Sequence, residues 1–225
     1  MFVLTADQKR STRHGDRVPE ALTALAALFD PAAAPDGSGP DGSGPDGSGL
    51  GGSGLALPFE RTVGDELQGL LSTPAAAVRA VTALVRLGGW RMGLGVGAVD
   101  TPLPDSTRAA SGPAFVAARE AVAAAHSAPA DLRIVHADGD RGYGGAHRAR
   151  QAESALWLLT AVLRRRTPEG WEIVDMADAG LSGRDIADRL EISPSAVSQR
   201  LARAALNEGR RGAELAEALL AEADA

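Results

Sequence analysis

The chain has no cysteine, so disulfides, thiolate nucleophiles and Cys-ligated metals are all excluded, and its expected setting is the reducing cytoplasm. Aromatic residues are only 4% of its 225 residues, which argues against a large aromatic pocket. Much of the 44% hydrophobic content is alanine, so helices packed closely through small side chains are expected. Basic charge is not in excess either. The formal net charge is -6, which disfavours a generic polyanion binder and requires any nucleic-acid contact to be local. No stretch approaches about 18 uncharged apolar residues, and "MFVLTADQKR" turns polar too early for a signal peptide, so neither a membrane partner nor secretion is expected. His14, His126, His136 and His147 show no ligand spacing and suggest no metal site.

What is present divides the chain unevenly. "PDGSGPDGSGPDGSGLGGSG" (35–54) has almost nothing to bury and reads as a disordered loop. Strand-like segments flank it, so it reads as an expansion within one domain. Strand 1 is expected at 2–6, and a helix at 19–29 with Leu22, Leu25, Leu28 and Phe29 on one face. Two strands flank the Gly64-Asp65-Glu66 turn. "STP" at 72–74 caps and starts a helix whose Val78, Val81, Leu84 and Val85 repeat at helical spacing as far as Gly88-Gly89. "WRMGLGVGAVDTPLP" (90–104) alternates and is rich in glycine, as in a strand whose backbone something approaches closely. A helix at 112–126 and a strand at 132–138 come next. The order β-α-β-β-α-β predicts an α+β fold, a ferredoxin-like sheet with helices on one face, over 1–140. Helix 146–166 would bury Ala152, Leu156, Leu159 and Leu163, and either connects the sheet domain rigidly to the C-terminal helices or forms a dimer seam. The three arginines at its end suit a helix C-terminus.

The last section, 167–225, is expected to be an all-α helix-turn-helix domain. In "LSGRDIADRLEISPSAVSQRL" (181–201), Ile186, Ala187 and Leu190 form the inner face of a short helix. Ser193 caps the next helix, Pro194 takes its first position, and Val197 and Leu201 point back inward. Ile192 plugs the turn. If Ser193 to Ala205 is the recognition helix, its outward residues carry no acid, and 193–211 holds four arginines against one glutamate. Gln199 and Arg203 are then suited to base edges of double-stranded DNA, and Ser193 and Arg200 to phosphates, with Ser195 and Ser198 on the same surface. The alternative is a pair of surface helices with merely solvated arginines; agreement of cap, turn, inner face and outer face favours DNA. The segment resembles helix-turn-helix regions of MarR-type regulators and of sigma-factor region 4. "RRGAELAEALLAEADA" reads as a further helix, so a wingless version is expected.

Two acids stand apart in the first domain. Asp7 comes directly after strand 1, and Asp65 sits in the turn between strands 2 and 3; a ferredoxin-like sheet brings both to one edge. There they suit either a shared divalent cation or simple exposed turn positions. "FVLTADQKRST", "FERTVGDELQGLL" and "GPAFVAAR" resemble, in chain order, segments of the class III nucleotidyl cyclase catalytic domain. That resemblance implies Asp7 and Asp65 as metal ligands, Arg119 as a phosphate contact, Arg61 near the purine, Mg2+ with a nucleotide as cofactor, and a site completed in a homodimer. Phe115 stands where that family has Asn, and Arg61 where it has Lys. The chain is also similar to the SatD family through Asp7, Gly64 to Leu71, Gly93 to Gly97, Gly112 to Arg119 and Ile186 to Leu201, with Leu67 in place of Phe. The expectation is a dimeric, sequence-specific DNA-binding regulator of transcription with a degenerate cyclase-like domain that senses a nucleotide or metal. The alternative is a metal-dependent nucleotidyl cyclase or phosphotransferase with a regulatory helix-turn-helix.

Overall fold

The fold comes from a computed structural model, which describes residues 1–11, 15–30, 54–138 and 144–225. Apart from Gly54, the glycine-rich repeat lies outside the described residues, as does His14. In chain order the elements are β1 (Phe2–Gln8), α1 (Val18–Phe29), β2 (Leu55–Arg61), β3 (Glu66–Leu71), α2 (Pro74–Leu87), β4 (Trp90–Val96), α3 (Pro113–Ala124), β5 (Leu132–His136), α4 (Gly145–Leu163), α5 (Pro168–Asp178), α6 (Gly183–Leu190), α7 (Pro194–Arg203) and α8 (Leu206–Asp224). The result is a mixed α+β chain with a helical C-terminal region.

Alternation along β1 builds two cores from one strand. Phe2, Leu4 and Ala6 enter the main core, whereas Val3 enters a smaller one on the opposite face. The five strands lie in the order β2-β3-β1-β4-β5. β1 runs antiparallel to both β3 and β4, β2 antiparallel to β3, and β4 parallel to β5. The proline of β2, Pro58, lies on an edge strand, where a missing N–H is tolerated.

The main core is filled by α1, α2, α4 and α8, which supply Leu25, Val81, Leu84, Leu156, Leu159 and Leu220 among others. Thr73 accepts a hydrogen bond from Ala76 N with Pro74 at the first position, and α2 ends at Gly88 with a positive φ of 64°, so its sequence start and stop signals hold. Small residues bring α4 and α8 together: Ala149, Ala152, Ala155, Ala216 and Ala223 are all buried.

The placement of α3 differs from the expected one-sided arrangement. Its Ala114, Phe115 and Ala118 pack with Val3, Leu57 and Leu70 on the other face. β4 and β5 are parallel neighbours, so the link between them must cross a sheet face, and α3 is that crossover. It lies so close that a Cβ at Gly93 would stand 2.1 Å from Val122 N, and one at Gly95 would stand 2.1 Å from Ala114 O. What approaches the glycine-rich strand is therefore helix backbone.

The helices α5 to α7 have a core of their own, with Ile173, Val174, Ile186, Ala187, Val197 and Ala204. Residues 206–224 leave it and return as α8, whose Ala216, Leu220 and Ala223 belong to the main core. The Met1 amine pairs with Asp224, and Arg148 Nη1 donates to Glu222 O at 3.1 Å. Arg86 on α2 grips Asp175 on α5 through both terminal nitrogens, at 2.8 and 2.7 Å.

Candidate nucleic-acid interface

Local sequence dictates the geometry of α6 and α7. Ser182 accepts from Asp185 N while Asp185 accepts from Ser182 N, a reciprocal capping box that starts α6. Glu191 takes a left-handed conformation at φ 51° and stops it. Ile192 N then donates to Ala187 O at 3.0 Å, and the Ile192 side chain packs into the small core, closing the corner. Ser193 Oγ accepts from Ala196 N at 3.2 Å, with Pro194 at the first position of α7. Ile186, Ala187 and Val197 are buried, and Leu190 and Leu201 pack against them.

That packing turns the opposite side of α7 outward. Ser193, Ser195, Ser198, Gln199 and Arg203 are exposed, and no acid interrupts them between Ser193 and Arg203. Ser198 donates to Pro194 O at 3.2 Å, which leaves its oxygen free to accept. Arg200 differs: it is half-buried and lies within electrostatic reach of Glu169 at the start of α5. Together with Arg165 and Arg203 it lines a cleft of about 310 Å³ between the end of α4 and α7. Base-edge candidates and a basic flank are thus both present on one side of the molecule.

Residues 176–205 match the family of winged helix-turn-helix DNA-binding domains. The match runs from the end of α5 through α7. It stops where α8 begins, and from Leu206 to Asp224 the chain is helical, so no β-wing follows α7 directly. No curated protein and no solved structure matches the chain. No helix among the described residues is long and apolar enough to cross a membrane.

The acidic corner lies in the sheet body. Asp7 is on β1, opposite Glu66 of β3 and Arg91 of β4, and alternation puts it on the side of Val3 and Thr5. Gly64 has a positive φ of 61°, which the turn requires, and Gln8 N donates to Asp65 O at 3.1 Å. The Asp7 carboxyl is held above its ordinary pKa of 3.8. Burial is the main cause; the Arg91 bond at 3.0 Å opposes it, and neighbouring Asp65 adds to it. Arg61 pairs with Asp16 and lies within electrostatic reach of Asp65.

Asp7, Asp65 and Arg61 therefore share one corner. Arg119 is exposed on α3 and makes no hydrogen bond or ion pair among the described residues. Arg91 leaves no signal in the sequence, because only the β1–β4 register puts it opposite Asp7. Two carboxylates suit an Mg2+ that arrives with phosphate ligands of its own. They do not suit a free ion: among the described residues no group of three or more His, Cys, Asp or Glu is placed to hold one, and Arg91 already occupies one oxygen of Asp7.

The arginines at the end of α4 do more than neutralise their own helix. Arg164 donates to Ala130 O and to Asp131, while Arg166 donates through Nε to Ala204 O at 2.7 Å and through Nη2 to Ala205 O at 3.2 Å. Arg166 thereby ties the end of α7 to the sheet body. Sequence periodicity carries no signal for such a contact.

Proposed function

We propose that the chain is a sequence-specific DNA-binding regulator of transcription, with α7 as the recognition helix in the major groove. The observation that carries this reading is the exposed, acid-free face of α7 within a segment that matches DNA-binding helix-turn-helix domains. Gln199 pairs with adenine and Arg203 with guanine, while Ser193, Ser195 and Ser198 contact backbone or base edges and Arg200 a phosphate. The protein acts as a homodimer, because one short recognition helix reads too few bases and two reach half-sites about one helical turn apart.

Gln199→Ala and Arg203→Ala test the reading. Each should keep the circular dichroism of the parent and lose about 1–3 kcal/mol of discrimination against the wrong base. Equal affinity of parent and variants for every duplex tried, with the fold intact, rejects it.

For the sheet body we infer a nucleotide-and-metal sensing role without turnover. The antiparallel neighbours β2-β3-β1-β4 within the five-stranded sheet are compatible with a ferredoxin-like arrangement, and the likeness of the Asp7, Gly64 to Leu71 and Gly112 to Arg119 segments to cyclase and SatD sequences supports the sensing role. Burial of Asp7 beside Asp65 favours a cation that arrives with the nucleotide's phosphates. Phe115, at the position where cyclases carry Asn, is spent on packing against Val3, Leu57 and Leu70, which favours sensing over cyclisation. Incubation with Mg2+ or Mn2+ and each nucleoside triphosphate decides between them. Binding without a new product is expected; a product that Asp65→Asn abolishes establishes the enzymatic alternative.

A further inference from the structure

Two guanidinium groups lie against the Trp171 ring where the sheet body meets α5. They are Arg86 of α2 and Arg166 beyond α4, each 4.8 Å from the ring centre. Two cavities meet at these three residues. The smaller, about 370 Å³, is lined by Lys9, Arg86, Arg164 and Arg166, against one acid, Asp131. The larger, about 640 Å³, has an apolar wall that includes Leu28, Val78, Ala83, Leu159 and Ala213, with Asp175, Asp178, Arg210 and Glu217 also in its lining. Arg86, Leu163, Arg166 and Trp171 line both. A trough of this size that joins an apolar wall to convergent charged groups is a usual form of a small-molecule site.

The charge at the shared end is not balanced internally. Asp131 is divided between Lys9 at 2.9 Å and Arg164 at 2.8 Å, and Arg86 is held by Asp175. Burial works against the charge of Arg166, whose pKa is lowered, with two acids, Asp178 and Asp175, only partly offsetting that cost. Arg166 Nε and Nη2 serve the carbonyls of Ala204 and Ala205, and its Nη1 has no hydrogen-bond partner among the described residues. A desolvated guanidinium with a donor to spare favours an anion, and a carboxylate accepts from it most strongly.

We propose that this junction binds an amphipathic monocarboxylate, with its apolar body in the larger cavity and its carboxylate against Arg86 and Arg166. Arg166 also holds the last carbonyls of the α7 end, so an occupant touches the same side chain that fixes the recognition helix. The site is independent of the DNA-binding reading; only its consequence for DNA rests on that reading.

Calorimetric titration of the full chain with decanoate, decanol and inorganic phosphate tests the site. Decanoate should bind saturably at one per chain, with decanol and phosphate weaker by roughly tenfold or more, because each lacks one half of the interaction. Arg86→Gln should weaken decanoate by roughly tenfold. Ala83→Trp, which fills the larger cavity, should remove binding while circular dichroism stays unchanged. No saturable decanoate binding, decanol binding as tightly as decanoate, or an undiminished affinity in folded Ala83→Trp overturns the proposal. The titration contains no DNA, so its failure leaves the DNA-binding reading standing, and failure of duplex binding leaves the titration result standing.

Discussion

Asp7 holds its proton more tightly than a free aspartate because burial works against its charge and Arg91 offsets that only in part. A carboxyl raised above its unfolded pKa contributes stability that is complete below that value and is lost as pH rises through the folded one. Asp7→Asn should therefore be more stable than the parent at pH 7, and the difference should shrink as the pH falls toward 3. Thermal unfolding at the two pH values checks this; a variant less stable at pH 7 means that the Arg91 pair outweighs the burial cost. Mg2+ with a nucleotide should stabilise the parent and not the variant. The meeting of Asp7 with Asp65 was legible in sequence because β1 and β3 bring their ends together. Arg91 was not, since nothing in its local pattern reveals a partner 84 residues away.

Helix faces were the most readable features. Val78, Val81, Leu84 and Val85 of α2 are all buried, as are Ala152, Leu156, Leu159 and Leu163 of α4, because a 3.6-residue period leaves a direct trace in sequence. The side of the sheet that a helix occupies leaves none, and α3 lies opposite to its expected side. Its trace was instead the glycines of β4. Gly95→Ala should cost about 1–3 kcal/mol or more, since the added carbon meets backbone that cannot rotate away, and unfolding in denaturant measures it. At the turn, Ser193→Ala removes the cap of α7 and should cost about 1 kcal/mol, or roughly 2–4 °C in Tm for a chain of this length. That loss should appear in thermal melts without DNA.

Across the whole chain, a net charge of -6 coexists with a basic flank made of Arg165, Arg200 and Arg203. Acidity elsewhere weakens binding to arbitrary polyanions and leaves the local patch to act at short range. Arg200→Ala should weaken every duplex about equally and lower the salt dependence of binding by about one phosphate's worth, unlike a base-reading substitution. The helices α5 to α7 lie in the chain between α4 and α8, both rooted in the main core, and Arg86–Asp175 and Arg166 fasten them from the side. Sequence composition could group these helices but could not show their return to the sheet body, because that depends on packing between residues far apart in the chain. Selection of the full chain against random duplexes, at one stated salt concentration, is the decisive test of base reading by α7. The expected outcome is a recurrent motif, arranged as two half-sites about one helical turn apart, that disappears for Gln199→Ala with Arg203→Ala; recovery of no motif by the folded parent chain contradicts base reading by α7.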